Sequence, residues 1–395
     1  MSAEIAPRTL PAWAYRSPEF FQAERREIFA RSWLLVGHVS QLREPGDYVS
    51  MMIAGEPIAV VRGKDGELRA FSNVCRHRAA RVLDGAGNCG KAMRCPYHGW
   101  TYGLDGRLLA IPEKTGFPGF DKDANGLWPL SVGVAAGFVF GSLAPDPVPL
   151  SEYLGPFEEW LAPYRPERLV KNAEHRDVLP INWKNSIDNY LEGYHIPVGH
   201  PGLLRLLDYK RYLVETSDAR VSIARSPMRD KASNDWQERL YQRLVRPMPG
   251  LREPENREWN FIFAFPGMTF NLYPDQIDFW LNYPLDERRT MTVWNTFRPP
   301  ETAGRRDRIV RRLNTRINGL VQHEDNDLTA RVQEGLGSSL YRAGVIGARE
   351  NGLLHFHDLI RDAIPAAAID DEHEGVRALA AAAPERVMTT PASKD

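Results

Sequence analysis

Hydrophobic and polar residues alternate in short runs over much of the first 150 positions, a pattern typical of β-strands. One exception precedes these runs. Apolar residues recur at helical spacing from Pro18 to Trp33, and Ser17 is a candidate N-cap, so a helix is predicted there. Glycines and Asp-Gly pairs separate the later runs and predict tight turns. The predicted strands of this part are 33–39, 48–53, 57–62, 68–72 and 132–141.

Beyond Glu152 the pattern mixes strands with longer helical segments. Three closely spaced prolines, Pro145, Pro147 and Pro149, mark the change. Apolar stripes at helical spacing predict helices over 305–336 and 350–362. Strands are predicted at 259–265, 278–283 and 290–298.

These elements predict an α+β protein with two main domains. Residues 1–39 are expected to form an N-terminal helical segment that packs on the second domain. Residues 40–150 are expected to form an all-β domain, and residues 151–375 an antiparallel sheet with helices. The Ala-, Pro- and Thr-rich end, 376–395, is predicted to be a disordered tail.

Composition and charge narrow the functional classes. The chain has 395 residues, of which 43% are hydrophobic and 26% charged, and a formal net charge of −1. Nucleic acid and anionic membranes both favour basic surfaces, so neither is expected as a partner. No apolar run is long enough to span a membrane, and the N-terminus lacks a signal-peptide pattern. The three cysteines cannot build a disulfide framework, and a cytoplasmic location is therefore expected.

Two short Cys–His clamps carry the first chemical signal. Cys75 and His77 are separated by one residue, and Cys95 and His98 by two. Two thiolates and two imidazoles suit a [2Fe–2S] centre in which both histidines bind one iron. A zinc knuckle is the alternative, although zinc sites usually pair Cys with Cys. Cys89 could in principle replace Cys95, but it has no histidine at clamp spacing.

A second constellation follows between Asn182 and His200. Asp188, Glu192 and His195 fall at i, i+4 and i+7, which predicts one polar stripe on a helix. Pro197 is expected to end that helix at or before the preceding residue. His200 would then return from a loop, so that two imidazoles converge. Two histidines and one carboxylate are the ligand set of non-haem Fe(II) oxygenases.

The third ligand is expected to be a carboxylate from elsewhere in the chain. Asp325 falls on the apolar stripe of the predicted helix 305–336, together with Ile317, Val321, Leu328 and Val332. A carboxylate on a buried face needs a metal or an ion pair. Asp325 is therefore the candidate, and Asp327 is the weaker candidate for the same role. The alternative is that Asp325 forms a structural salt bridge or an N-terminal helix cap.

The segment through His98-Gly99-Trp100-Thr101-Tyr102 resembles a Rieske iron–sulfur domain. With Asn182-Trp183-Lys184 and the later Glu-Gly-Tyr-His-x4-His motif, the chain resembles the oxygenase (α) component of the Rieske non-haem iron, aromatic ring-hydroxylating oxygenases over roughly residues 20–365. The resemblance implies a helix-grip catalytic domain beside the Rieske domain. It implies one [2Fe–2S] cluster and one Fe(II) per chain. The residues that match the family's ligands are Cys75, His77, Cys95 and His98 for the cluster, and His195, His200 and Asp325 for the iron.

The same resemblance implies an activity. The chain would be the terminal oxygenase of a multicomponent system that uses O2 and electrons from NAD(P)H. Since the chain has no glycine-rich dinucleotide motif, a separate reductase or ferredoxin would deliver the electrons. The reaction would be hydroxylation, dihydroxylation or oxidative demethylation of a small organic substrate, with an aromatic compound favoured. The alternatives are a monooxygenase or demethylase for a quaternary ammonium such as betaine or carnitine, and an electron carrier without a catalytic iron.

Two further residues bear on the resemblance: Glu192 matches a family residue, and Ala79 differs from one. Glu192 matches the family's bridging carboxylate, which implies a hydrogen bond to the cluster ligand His98 of a neighbouring chain and a catalytic role in electron transfer from that cluster to the iron. That role implies a homotrimer, with or without a separate β subunit. Ala79 stands where the family usually has glycine.

The substrate pocket is the least determined part. Aromatic residues alternate along the predicted strands of the second domain, and alternation places them on one face. Phe263, Phe265, Phe270 and Phe279 are expected to line the pocket, although plain sheet core explains such a pattern equally well.

Overall fold

The alternating runs in the first part of the chain fold into an all-β domain. The structure is a computed structural model that describes residues 7–300 and 304–382. The strands of this domain are β1 (Trp33–His38), β2 (Asp47–Ile53), β3 (Glu56–Arg62), β4 (Leu68–Ser72), β5 (Ala86–Asn88), β6 (Ala92–Arg94), β7 (Thr101–Gly103), β8 (Leu108–Ala110), β9 (Pro129–Ala135) and β10 (Phe138–Ser142). They form an antiparallel sheet of order β1-β10-β9-β4-β3-β2-β5 and a smaller sheet of order β6-β7-β8.

A second antiparallel sheet forms the centre of the other domain. Its strands are β11 (Val170–Leu179), β12 (Leu213–Thr216), β13 (Val221–Pro227), β14 (Glu258–Ala264), β15 (Met268–Leu272), β16 (Ile277–Asp286) and β17 (Arg289–Arg298). The spatial order is β11-β17-β16-β15-β14-β13-β12, so sequential hairpins build most of the sheet. Together the two domains give the α+β class expected from the sequence.

Helices cover the second sheet and the N-terminal region. They are α1 (Pro18–Ala23), α2 (Leu150–Leu154), α3 (Phe157–Leu161), α4 (Trp183–Tyr190), α5 (Ile196–Gly199), α6 (Pro201–Leu206), α7 (Trp236–Leu244), α8 (Arg305–Gly335), α9 (Asn351–Ala363) and α10 (Glu372–Ala382). The long helix α8 lies close to the short helices α4, α5, α6 and α7. Among the helices of the described residues, none is both long and apolar enough to cross a membrane.

The structure corrects three predicted boundaries. Strand β1 pairs with β10, so the first domain begins at Trp33 and not at residue 40. The run 132–141 is not one strand but the hairpin β9–β10, because Ala136 and Gly137 both adopt positive φ and turn the chain. Residues 376–382 of the predicted disordered tail belong to helix α10, and residues 383–395 lie outside the described residues.

Aromatic side chains join the two domains. Phe138 of β10 packs edge-on against Phe270 at 5.0 Å and Phe279 at 5.8 Å, measured between ring centroids. At the same junction His38 Nε2 lies 3.1 Å from the carbonyl oxygen of Pro166. Burial lowers the pKa of His38 to about 4, which keeps the imidazole neutral there. One face of the second sheet therefore packs against the first domain.

A buried ion pair fixes the N-terminal segment to the second domain. Lys184 of α4 donates to Glu24, and both side chains are almost completely buried. Burial raises the pKa of Glu24 and lowers that of Lys184, while each partner opposes the shift of the other. Nearby, Tyr15 donates to Asp188 Oδ2 at 2.6 Å. The segment before β1 thus holds the helix that leads to the two histidines of the second constellation.

We expect Lys184→Met to destabilise the protein by about 3–5 kcal/mol, because it leaves the Glu24 carboxylate buried without its counter-charge. Arg31→Met is the matched control, since the Arg31–Glu27 pair has an arginine side chain that is 70% exposed. That change should cost less than about 1 kcal/mol. The measurement is the free energy of unfolding in urea, and equal losses in the two variants would contradict the assignment.

Candidate metal centres and substrate cavity

The four clamp residues meet at the tips of two loops of the first domain. Cys75 and Cys95 are each 2% exposed, while His77 and His98 are less buried. The Nδ1 atoms of the two histidines lie 3.1 Å apart. Trp100 stacks on His77 with ring centroids 4.9 Å apart and planes within 7°, which holds that imidazole in place. The geometry gives a buried sulfur pair beside a more exposed nitrogen pair.

Tyr102 contacts one sulfur of the pair through its hydroxyl group. Its hydroxyl lies 3.2 Å from Cys75 Sγ and accepts the backbone N–H of Arg76 at 3.0 Å. The hydroxyl proton is therefore free to point at the sulfur and stabilise a thiolate. Burial raises the pKa of Cys75, so a cationic partner is needed to hold the thiolate form. Two thiolates and two imidazoles in this arrangement fit a [2Fe–2S] cluster.

Cys89 lies apart from this group. Its thiol donates to the carbonyl oxygen of Gly46 at 3.2 Å, at the edge formed by β2 and β5. The structure brings Cys95 and not Cys89 to Cys75.

The second group joins His195, His200 and Asp325. The two Nε2 atoms are 3.1 Å apart, and Asp325 Oδ1 lies 3.8 Å from that of His195 and 2.9 Å from that of His200. Within the part of the chain that the structure describes, this is the group of three or more His, Cys, Asp or Glu side chains close enough to share one ion. The sequence prediction had named all three residues.

The backbone before His195 differs from the predicted helix. Helix α4 ends at Tyr190, so Glu192 and His195 lie in a turn and not on one helical stripe with Asp188. The Glu192 carboxylate accepts the backbone N–H groups of Tyr194 and His195, which satisfies donors before the short helix α5. Gly193 is needed in that turn, because a Cβ there would lie 2.7 Å from the ring of Tyr212.

Both imidazoles have a carboxylate behind them. Glu192 Oε1 contacts Nδ1 of His195, and Glu324 Oε2 lies 2.8 Å from Nδ1 of His200. Each Nδ1 then carries the proton and donates it to the carboxylate, which leaves Nε2 with a free lone pair. Sequence reasoning missed Glu324 because its position on the helix pointed towards Leu320. Its place directly before Asp325 was the available signal.

The unpaired acceptors give a test of the fit to a metal ion. Asp325 Oδ1 is buried and has no hydrogen-bond donor. With both Nδ1 atoms protonated, the two Nε2 atoms that face it are also acceptors. Burial lowers the pKa of His200, but the Asp325 and Glu324 carboxylates more than offset it, so the net shift is upward. The upward shift means that this group of side chains favours positive charge. Three converging acceptors therefore fit a divalent cation, and two histidines with one carboxylate fit Fe(II).

The helix α8 presents Asp325 inwards. Asn185 of α4 donates to the carbonyl oxygen of Thr329 at 2.8 Å, which holds α4 and α8 together one turn past Asp325. Asp327 is exposed and is not part of the group formed by His195, His200 and Asp325. The structure therefore favours Asp325 of the two candidates.

A cavity opens onto this group from the face of the sheet opposite the first domain. Its walls carry the rings of Tyr190, Tyr212, Trp259, Phe261, Tyr273 and Trp280. The predicted lining was wrong for all four phenylalanines. Phe270 and Phe279 lie on the other face against Phe138, and Phe263 and Phe265 pack on Phe356. For Phe270 and Phe279, alternation could not say which face of the sheet meets the cavity. Phe263 shares the face of Phe261 on β14, but it lies farther along the strand than the residues that line the cavity.

One wall of the cavity holds a buried carboxylate. Asp278 of β16 is 1% exposed and accepts from Gln276 Nε2 at 2.8 Å. Burial raises the pKa of Asp278 to about 8, and Asp275 adds to the rise, although Trp294, Arg298 and Gln276 oppose it. The Arg298 guanidinium donates to Gln276 Oε1 at 2.8 Å.

Ala79 shows why this loop position favours glycine. It has a φ of 58°, in the left-handed region, and donates its N–H to the Cys75 carbonyl at 3.0 Å. We expect Ala79→Gly to raise the free energy of unfolding by about 0.5–1 kcal/mol, because the Cβ penalty disappears. Ala80→Gly, next along the chain, should lower it. Urea unfolding of both variants measures the difference, and stabilisation by Ala80→Gly alone would contradict the reasoning.

Glu324→Ala should weaken iron binding at the second centre by roughly 10- to 100-fold, because the His200 imidazole loses the acceptor that orients it. Chelator competition measures the iron affinity, and the visible spectrum of the first centre should not change. Asp327→Ala removes an exposed carboxylate from the same helix and is the matched control. Equal iron affinity in the two variants would exclude a positioning role for Glu324.

Comparisons with known proteins agree with both centres. A family model for the ring hydroxylating alpha subunit (catalytic domain) matches residues 164–366, and one for the Rieske [2Fe-2S] domain matches residues 32–121. The carnitine monooxygenase oxygenase subunit of Acinetobacter pittii (strain PHEA-2) is 31% identical over 89% of this chain and 94% of its own length.

Two further proteins extend the comparison. The glycine betaine monooxygenase oxygenase subunit of Chromohalobacter salexigens is 39% identical over 58% of this chain and 51% of its own length. The solved structure of a quaternary ammonium Rieske monooxygenase, described with carnitine oxidation and inter-subunit electron transfer, superposes with a TM-score of 0.79. Its identity is 29%, covering 91% of this chain and 96% of that one. The chain therefore belongs to the Rieske non-haem iron oxygenases, as an oxygenase component with a [2Fe–2S] cluster and a catalytic Fe(II) that acts with O2 on a small substrate.

Proposed function

We propose that this enzyme monooxygenates a small quaternary ammonium compound at a carbon bound to the nitrogen. The observation that carries the proposal is the cavity beside His195, His200 and Asp325, whose walls are rich in aromatic rings. The faces of such rings attract organic cations, by about 2 kcal/mol or more where water is excluded. The sequence alone favoured an aromatic substrate. The relatives named for carnitine and glycine betaine do not support a role in aromatic hydrocarbon catabolism.

The ligand assignment follows the geometry. Cys75 and Cys95 would hold one iron of the cluster and His77 and His98 the other, while His195, His200 and Asp325 would hold the Fe(II). When bound, the cluster supplies single electrons and the Fe(II) supplies open positions for O2. Glu192 and Glu324 orient the imidazoles of His195 and His200 through their Nδ1 atoms. The aromatic walls exclude water and hold the substrate, which is not itself a ligand.

The overall reaction balances with one O2, two electrons and two protons. One oxygen atom enters the C–H bond next to nitrogen, and the other leaves as water. The resulting N-hydroxyalkyl ammonium breaks its C–N bond to release an aldehyde, a tertiary amine and a proton. A separate NAD(P)H-dependent reductase or ferredoxin would supply the electrons.

A pure electron carrier is disfavoured as the alternative. It needs no second metal centre, whereas the catalytic-domain match covers 164–366 and contains the His–His–Asp group.

The substrate class is tested with the holoenzyme, a generic reductase, NADH and O2. We expect choline, carnitine or glycine betaine to give coupled O2 consumption and aldehyde or tertiary amine, detected by mass spectrometry. Benzoate and naphthalene serve as aromatic comparisons. Oxygenation of an aromatic compound, with no product from any quaternary ammonium compound, would overturn the proposal.

We also propose that electrons pass between chains of a homotrimer through Glu192. Its carboxylate contacts His195 on one side and is only 11% exposed, within a turn that reaches the surface at Tyr194, which is 67% exposed. Beside the first centre, Tyr97 next to His98 is 56% exposed. Two centres near exposed aromatic residues can meet across an interface, and a head-to-tail ring closes such contacts. The inter-subunit transfer described for the solved relative supports this route.

Mixed trimers test the route directly. Cys75→Ala should abolish the cluster and Asp325→Ala the catalytic iron, so neither variant should be active alone. Co-assembled trimers should regain part of the activity, because an intact cluster then faces an intact iron in a neighbouring chain. Glu192→Gln should keep both metals and slow cluster-to-iron transfer. The inter-subunit route is wrong if verified mixed trimers stay inactive.

A further inference from the structure

Asp278 is a buried carboxylate in the cavity that the proposed reaction does not use. It shares the cavity wall with Trp280, two residues along the same face of β16, and with Asn271, its register partner on β15. Tyr273 is close enough for the Asp278 charge to raise the pKa of its hydroxyl, an effect second to that of burial. A carboxylate therefore lies among aromatic rings at one end of the cavity.

In the part of the chain that the structure describes, the acidic residues of the cavity wall are not matched by lysine or arginine side chains. Its acidic residues are Glu192, Asp278 and Asp325, and neither lysine nor arginine occurs among the described residues that line it. Asp325 would bind the iron directly, and Glu192 acts on the iron centre by contacting its ligand His195. Asp278 has no basic partner among the described residues of the cavity wall, because the Arg298 guanidinium donates to Gln276. Burial raises the pKa of Asp278 to about 8 and favours its protonated form, so a cation bound beside it would stabilise the ionised carboxylate. Buried charges of this kind are normally paired.

The position of Asp278 suits a short substrate. Asn318 and Asp325 both line the cavity from α8, seven residues apart, which is about 10 Å along the helix axis. Gln276 links Asp278 to Asn314 on the same helix, with Nε2 3.0 Å from Asn314 Oδ1. Asp278 thus lies at the end of the cavity remote from the iron ligands. A cationic group held there leaves room for a few carbon atoms to reach the iron.

We propose that Asp278, with Trp280 and Tyr273, binds the ammonium group of the substrate, and that the preferred substrate is a cation without a carboxylate. This inference rests on the proposed function and narrows its substrate class. A cation supplies the missing counter-charge, and the rings contact its methyl groups. A zwitterion would also have to bury its carboxylate in a cavity lined by carboxylates and lacking a basic side chain, which costs free energy.

Binding to the anaerobic holoenzyme tests this without turnover. Calorimetry would give the dissociation constants of choline, glycine betaine, carnitine and the uncharged choline isostere, in which tert-butyl replaces trimethylammonium. We expect choline to bind on the order of 10- to 100-fold more tightly than the isostere or either zwitterion, as for a charged contact. Asp278→Asn should remove that preference for choline over the isostere without changing iron content or the cluster spectrum.

Asp275→Asn is the matched control. Asp275 lies three residues away, accepts from Tyr241 at 2.8 Å and does not line the cavity. It should leave the preference for choline intact. Equal binding of choline and its isostere by the wild type, or an unchanged preference in Asp278→Asn, overturns the role of Asp278. If the Asp278→Asn protein does not fold, the wild-type comparison decides alone.

The zwitterions separate the two proposals. Glycine betaine or carnitine binding as tightly as choline, or more tightly, overturns the cation preference and leaves the proposed function intact. If none of the quaternary compounds binds, both proposals fail.

Discussion

The hydrogen bonds from the His195 and His200 imidazoles to the carboxylates behind them are the interactions on which the candidate iron site depends. Glu192 and Glu324 place the proton on the outer nitrogen of His195 and His200, so the inner nitrogens face Asp325 as acceptors. A cation is then the species that satisfies all three. The two carboxylates come from different elements, a turn after α4 and the helix α8, so the centre forms only when these elements pack together.

Much of the fold could be predicted because its signals are local. The alternation of β2 to β4 and the stripe of α8 follow from side-chain period alone, and Asp325 was found because a carboxylate on an apolar stripe needs a partner. The clamp residues Cys75, His77, Cys95 and His98 were predicted from their spacing in the sequence, which needs no knowledge of distant contacts. The assignment to the oxygenase family rests on the same motifs and agrees with the comparisons.

The errors arose where tertiary contacts decide. Helix α4 stops at Tyr190 because the Glu192 side chain caps the following turn and Gly193 must admit the ring of Tyr212, neither of which is visible in the periodicity. Phe270 and Phe279 were placed in the pocket because the identity of the packed face is set by the other domain. Glu324 was missed because the direction of one side chain on a helix depends on what lies opposite.

The two faces of β16 have different neighbours. Phe279 packs on the first domain, whereas Asp278 and Trp280 face the cavity. Because adjacent residues of one strand serve the interface and the cavity, the strand cannot shift its register to admit a different substrate without breaking the domain junction. Divergence of substrate range among relatives should then proceed by exchange of single cavity-facing side chains on a fixed backbone. A junction between domains thereby restricts the evolutionary paths open to a binding site.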